Sequence, residues 1–349
     1  MHINFWFLED IVGVEKKVKT PYIDVGLKIK NYKNIEGLTF HCPFKLIEDN
    51  ILDLSQKLGV KANSTMVFND DCEISTINSY TCVRFTDKTE LLIFLMNQAI
   101  ENTYHVEQLE GKSNIIFDFA DFHKYVGTNN DLKKFDDLYL RFRIKDVELK
   151  DKIYFDSEPI NKSFESAFSG TRILDFKINE KRNIDNVFQT RMIVEDKKMA
   201  EFSKVHFLVM EPSSYELSSF SNYDMSCREL EEGMWDDYLD TKIDFSKGHV
   251  LAYHWKASAK SEETLKDFSC FAKINYSTAR IGTIISYIGM VIALGVWGSA
   301  IVSFTPLLLG TKNYTVMCAI IDFVGALILF FVIFVLNTNK VQFTRDYTG

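Results

Sequence analysis

The chain has 349 residues and a formal net charge of −8, with 48 acidic against 40 basic side chains. That balance excludes a protein that coats nucleic acid by charge alone, while leaving room for a local basic pocket that takes an anionic ligand. Six cysteines without a CxxC pair exclude a disulfide-stapled secreted scaffold and fit a reducing cytosol.

Taken from the start, residues 1–10 carry neither the basic opening nor the apolar core of a signal peptide, so the body is expected to be made in the cytosol. Alternating β-branched and aromatic residues predict strands over 3–8, 26–30, 37–44, 65–69, 80–85 and 114–119. The same pattern predicts strands over 138–145, 152–155, 172–178, 187–194, 205–210 and 250–256. Asp87 and Glu90 are spaced as a capping box before Leu91, Leu92, Phe94, Leu95 and Met96, which predicts a buried helix over 91–100. A shorter helix is expected over 50–58. Ser, Glu, Pro and Asn accumulate near 156–169, the expected division if the body has two subdomains. With 29 Phe and 15 Tyr to pack sheet on sheet, residues 1–260 read as a β-rich body, sandwich-like or α+β. Leu265, Phe268, Ala272 and Tyr276 follow Ser261 at helical spacing, which predicts a juxtamembrane amphipathic helix over 261–280.

The C-terminal quarter changes character. Residues 281–310 contain no charged side chain, and 314–336 contain only Asp322. About 20 apolar residues suffice to cross a ~30 Å hydrocarbon core. A two-helix transmembrane hairpin is therefore expected, with spans 281–304 and 314–336 and a cytosolic tail 337–349. Lys266, Lys273, Arg280, Lys340 and Arg345 flank the hairpin against Lys312 between the spans, which places both termini in the cytoplasm. Gly282, Ser286, Gly289 and Ala293 form a small-residue stripe on the first span. With Asp322, whose carboxylate is costly in hydrocarbon unless protonated, paired or wet, they define the expected membrane pathway of a homo-oligomer, a tetramer being the working size. A neutral Asp322 that only fixes helix association is the competing reading.

No P-loop, dinucleotide fingerprint, zincin motif or nucleophile elbow occurs, so neither catalysis nor a cofactor is expected. His249 and His254 fall on opposite faces of a strand, and the acidic run from Glu229 to Asp240 reads as a solvated face. One strand stands out. Leu138, Leu140, Phe142 and Ile144 share one face, while Tyr139, Arg141, Arg143 and Lys145 share the other. Three cations and a ring suit phosphates and a stacked base, so these four are the candidate ligand-binding residues, with an ordinary solvated face as the alternative.

A large cytosolic body followed by a C-terminal two-helix hairpin resembles the membrane effectors of bacterial anti-phage defence, the Hailong-type effectors among them. The likeness lies in architecture over the whole chain. It implies a nucleotide or oligonucleotide regulator, a nucleotidyltransferase partner protein, and oligomeric permeabilisation of the inner membrane. A membrane-anchored interaction module and a tethered enzyme are the alternatives.

Overall fold

The computed structural model describes residues 1–8, 21–96, 103–157, 169–184, 186–246, 248–260, 263–277 and 281–308, with Ile320 and 323–325. The chain divides into two compact units, one of Met1–Ser157 with Thr171–Tyr276, the other of Glu158–Gly170 with Ser277–Gly349. The first unit is β-rich. In chain order it contains β1 (His2–Trp6), β2 (Tyr22–Ile29), β3 (Gly37–Cys42), β4 (Ile51–Asp53), α1 (Lys61–Phe68), β5 (Glu73–Ile77), β6 (Tyr80–Arg84) and β7 (Glu90–Ile93). There follow β8 (Tyr104–Leu109), β9 (Lys112–Asp118), α2 (Ala120–Thr128), β10 (Leu138–Ile144), β11 (Tyr154–Ser157), β12 (Ser169–Ile178) and α3 (Asn186–Val194). The unit closes with β13 (Lys204–Pro212), β14 (Glu216–Ser219), β15 (Asp224–Glu229), α4 (Asp236–Leu239), β16 (Val250–Ser258) and β17 (Phe268–Ser277).

A mixed ten-stranded sheet runs β15-β16-β13-β1-β2-β10-β7-β6-β5, with β4 also paired to β10. Pairing is parallel for β1 with β13 and for β10 with β7, and antiparallel at β2 with both β1 and β10. Two smaller sheets, β11-β12-β17-β14 and β3-β9-β8, complete the unit. Side chains alternate along each strand, so two cores form on opposite faces of the central strands. Ile3, Phe5, Val25, Leu140, Phe142, Phe207 and Trp255 enter the larger core, which also takes Ile115 and Phe117 of β9 and Cys270 and Ile274 of β17. Trp6, Tyr22, Met210 and Val250 enter the other, against Trp235, Tyr238 and Leu239 around α4. Central strands covered on both faces have no solvated side, which decides the fate of the basic strand.

The β-rich body agrees with the sequence reading, but several elements do not. Asp87 does not cap a helix: its carboxylate accepts from the Thr89 N–H at 2.9 Å and from Thr89 Oγ1 at 2.6 Å, closing a turn at Lys88 (φ 67°) between β6 and β7. Glu90–Ile93 is then a strand, and 97–100 of that expected helix lie outside the described residues. The helix expected over 50–58 is β4 between two 3-10 turns, Glu48–Asn50 and Gln56–Gly59. Strands expected over 65–69 and 187–194 are helical instead, in α1 and α3. Arg191 and Glu195, one turn apart at the end of α3, form an ion pair at 2.6 Å. The juxtamembrane helix expected over 261–280 is corrected as well: Phe268, Cys270, Ala272 and Ile274 are buried at a period of two along strand β17. The 3–4 spacing of Leu265, Phe268, Ala272 and Tyr276 was real, but the stricter alternation within it governs. The division near 156–169 falls mostly on residues outside the description, and the chain on both sides belongs to one unit.

In the second unit, α5 (Ile281–Leu308) is a single helix of 28 residues. Ile320 and 323–325 are helical too, and the Trp297 and Phe323 rings lie 6.3 Å apart. Described side chains of α5 run only from Ile284 to Ser299, and among the described residues no helix is long and apolar enough to cross a membrane.

Candidate functional site

The structure brings Tyr139, Arg141 and Arg143 together on one face, as the alternation requires, but seals them in. Their exposures are 1%, 1% and 4%. Arg143 donates to Asp24 through Nε at 2.7 Å and Nη2 at 3.1 Å. Trp6 Nε1 and the Tyr238 hydroxyl also donate to that carboxylate, at 3.0 and 2.8 Å. Arg141 donates to the Tyr238 hydroxyl at 2.7 Å and the Tyr139 hydroxyl at 2.9 Å. With the Asn4 amide turned so that its oxygen faces Arg141 Nη2, a third bond forms at 2.9 Å. Burial disfavours both guanidinium charges, but Tyr238, Asp24 and the other oxygens around them more than compensate, so both stay protonated. The crossing of these side chains over β2 needs Gly26, where a Cβ would stand 2.1 Å from the Tyr139 hydroxyl oxygen. Lys145 lies beyond the strand end and is half-buried. The expectation of an open phosphate-reading face is therefore corrected. The network is a satisfied internal ion pair, and no surface remains there for a ligand.

A cavity lies over the other face. It has a volume of about 990 Å³ and is floored by Ile3, Ile23, Val25, Leu27 and Ile144 of the ten-stranded sheet. One wall is β3 with Phe117, the opposite wall is Ile153, Phe155 and residues 175–178 of β12, and α3 with Phe202 covers it. Such a volume and an apolar floor with a polar rim are typical of small-molecule sites. At the rim His41 Nδ1 lies 2.7 Å from Asn114 Oδ1, and Asn114 Nδ2 donates to Glu107 at 3.1 Å. Because the carboxylate requires the amide NH₂, Asn114 Oδ1 must accept and His41 Nδ1 must donate. Arg191 of α3 binds Glu107 at 2.5 Å and Glu195 at 2.6 Å, and Phe188 lies 4.3 Å from the His41 ring. The Arg191 hydrogen bond holds the Glu107 carboxyl below the ordinary range. Lys152 and Lys198 line the same cavity and make no ion pair among the described residues. The site can thus hold a molecule with an apolar or aromatic body, and its lining carries both signs of charge, Glu36, Asp151, Asp175, Glu180, Glu195 and Asp196 beside Lys152, Lys177, Arg191, Lys197 and Lys198.

The remaining sequence candidates are dispersed. Asp322 lies outside the described residues, as do the side chains of Gly282 and Ser286, while Gly289 is half-buried and Ala293 buried on α5. His254 bonds His206 at 2.9 Å across the strands, whereas His249 pairs with Glu229. In the acidic run, Asp240 takes Lys57 at 2.6 Å, Asp237 accepts from Asn63 at 2.8 Å and Asp236 accepts the Ile243 N–H. Among the described residues no cluster of three or more His, Cys, Asp or Glu could hold a metal ion. Glu211 is fully buried with neither carboxyl oxygen hydrogen-bonded; burial raises it to about 8 despite nearby Arg172.

Sequence reasoning missed Asp24 and the cavity. An Asp amid Tyr22, Ile23, Val25 and Leu27 was an available signal for a buried partner. The cavity gave none, since its lining comes from seven separate stretches of chain between Met1 and Phe202. No family model, curated protein or solved structure matches the chain.

Proposed function

We propose that this chain is an oligomeric, channel-like membrane effector of anti-phage defence, in which a ligand in the cavity under α3 gates the C-terminal apolar segments and permeabilises the inner membrane. The observation that carries the reading is a covalent route. Cavity wall β12 neighbours β17 in the four-stranded sheet, and α5 begins after only residues 278–280 beyond β17. On this reading ligand binding acts on β12 and is passed through β17 to the chain that leads into α5. The spans expected from the sequence are the apolar runs 281–304 and 314–336, each with the roughly 20 residues a hydrocarbon core requires. Ile285, Ile288, Val291, Ile292 and Leu294 stand more than half exposed on it, a surface suited to lipid. The Trp297 and Phe323 contact supports a hairpin, and the flanking cations Lys266, Lys273, Arg280, Lys340 and Arg345 favour cytoplasmic termini. Asp322, Gly282, Ser286, Gly289 and Ala293 remain the proposed pathway.

The regulator is a nucleotide or oligonucleotide made by a nucleotidyltransferase partner, as the resemblance implies, but its site moves from Tyr139–Lys145 to the cavity. Phe155 and Phe188 offer rings for a base, and Lys152 and Lys198 offer charge for phosphate. The test is ion flux from liposomes holding the full chain, with native mass spectrometry of co-purifying small molecules. Ile116→Trp, which fills the cavity, and the pair Lys152→Glu with Lys198→Glu should abolish ligand-dependent change in flux while the protein still inserts. Asp322→Asn should alter flux itself. Parent protein that gives no flux with or without nucleotides would reject the channel and leave an anchored interaction module or a tethered enzyme.

A further inference from the structure

We infer that β15, the outer strand of the ten-stranded sheet, is a docking edge for the same strand of a second copy of this chain, the two pairing antiparallel about a two-fold axis at Ser226. All six residues Asp224–Glu229 are exposed, and among the described residues β16 is the only strand paired to them. The Leu230 N–H donates to the Val250 carbonyl at 2.9 Å, which continues the register Ser226↔His254 and Arg228↔Ala252. In an antiparallel pair alternate residues exchange both backbone bonds. Residues 224, 226 and 228 therefore turn their backbone groups to β16, and Met225, Cys227 and Glu229 turn theirs outward. An unpaired edge of this kind is a template for another strand.

Two copies can meet only with outward residues opposite outward residues, so the axis must pass through a residue rather than between two. Charge selects which one. With the axis at Ser226, Met225 exchanges backbone bonds with Cys227 of the second copy, and Asp224 lies opposite Arg228, twice by symmetry. Those oppositely charged pairs sit at non-hydrogen-bonded positions, where side chains approach most closely. An axis at Cys227 would set Asp224 opposite Leu230 and Arg228 opposite Ser226, losing both. Asp224 makes no ion pair within its own chain among the described residues, and Arg228 reaches only the exposed Glu231 at 3.3 Å. The edge charges that would repel an arbitrary strand are complementary to their own copy.

Facing Ser226 residues would lie about 4.5 Å apart at Cα, within disulfide reach. The experiment uses the full chain with Cys227→Ser, to which Ser226→Cys or, as an exposed control elsewhere, Lys124→Cys is added, under mild oxidation. Ser226→Cys should give a disulfide-linked dimer at least fivefold more readily than the control. Asp224→Arg or Arg228→Asp alone should cut that yield severalfold, and the two together should restore it. Equal cross-linking of Ser226→Cys and the control would overturn the pairing. Indifference to charge reversal, or better cross-linking through unmutated Cys227 than through Ser226→Cys, would overturn the register. The readout is independent of ion flux, so this pairing and the channel reading stand or fall separately.

Discussion

Replacing Arg143 by Met is the most informative perturbation of the body. The apolar stem is retained, so the change removes the two guanidinium bonds to Asp24 and the cation lying 4.3 Å over the Tyr22 ring. Side-chain exposures of 5% for Arg143 and 0% for Asp24 mean that water cannot replace what is lost. Breaking one side of a buried ion pair costs about 3–5 kcal/mol, against a total stability of about 5–15 kcal/mol for a folded domain. For a body of this size that loss is about 6–10 °C in Tm. Trp6 donates to the same carboxylate, so its fluorescence reports the site directly. Asp24→Leu alone should be comparably harmful, because Arg141 and Arg143 lose their one carboxylate. The double variant should recover part of the loss, since an apolar pair of similar volume needs no charge balance. If Arg143→Met stays within about 1 kcal/mol of the parent and instead abolishes binding of an anionic ligand, the buried-pair account is wrong and the basic face is a binding surface after all.

Gly26→Ala should lower Tm by several degrees, because its Cβ would meet the Tyr139 hydroxyl oxygen at 2.1 Å; an unchanged thermal scan would refute that packing. Glu211, raised to about 8 from 4.5 by burial, contributes stability that is full below pH 4.5 and is lost as pH rises through 8. Between pH 6.5 and 8 this should appear as a fall of at most about 1.4 kcal/mol per pH unit in urea titrations, absent from Glu211→Gln. His206 works in the opposite sense. Burial first, then His254, the N-terminal amine, Lys204 and Lys256, lower it to about 4 from 6.5, so its contribution is present above pH 6.5 and is lost as pH falls toward 4. With the His2 ring also only 4.8 Å away, His206→Asn should reduce acid sensitivity between pH 6.5 and 4, and an unaltered acid limb would exclude this cluster. Arg191→Ala, which unties α3 from Glu107, should speed amide exchange across 186–194 without speeding it in β10.

What the sequence determined by itself was whatever depends on neighbours along the chain. Period-two alternation assigned β10 and correctly divided its faces, and it made the body β-rich. The charge-free run from Ile281 was legible as a helix, expected over 281–304, and α5 continues to Leu308. Tertiary structure decided everything that depends on what lies across a face. Arg141 and Arg143 look like a solvated or ligand-reading surface until Tyr238 and Leu239, about a hundred residues later, close over them and Asp24 supplies the countercharge. Local signals also yield where a partner strand is waiting: Asp87 could cap a helix, but Leu92 pairs with Cys82 and Leu138, and a helix would leave those backbone groups without partners. The cavity is the extreme case. Its floor, walls and cover come from seven stretches that meet only when three sheets pack, so no spacing within any one of them encodes it.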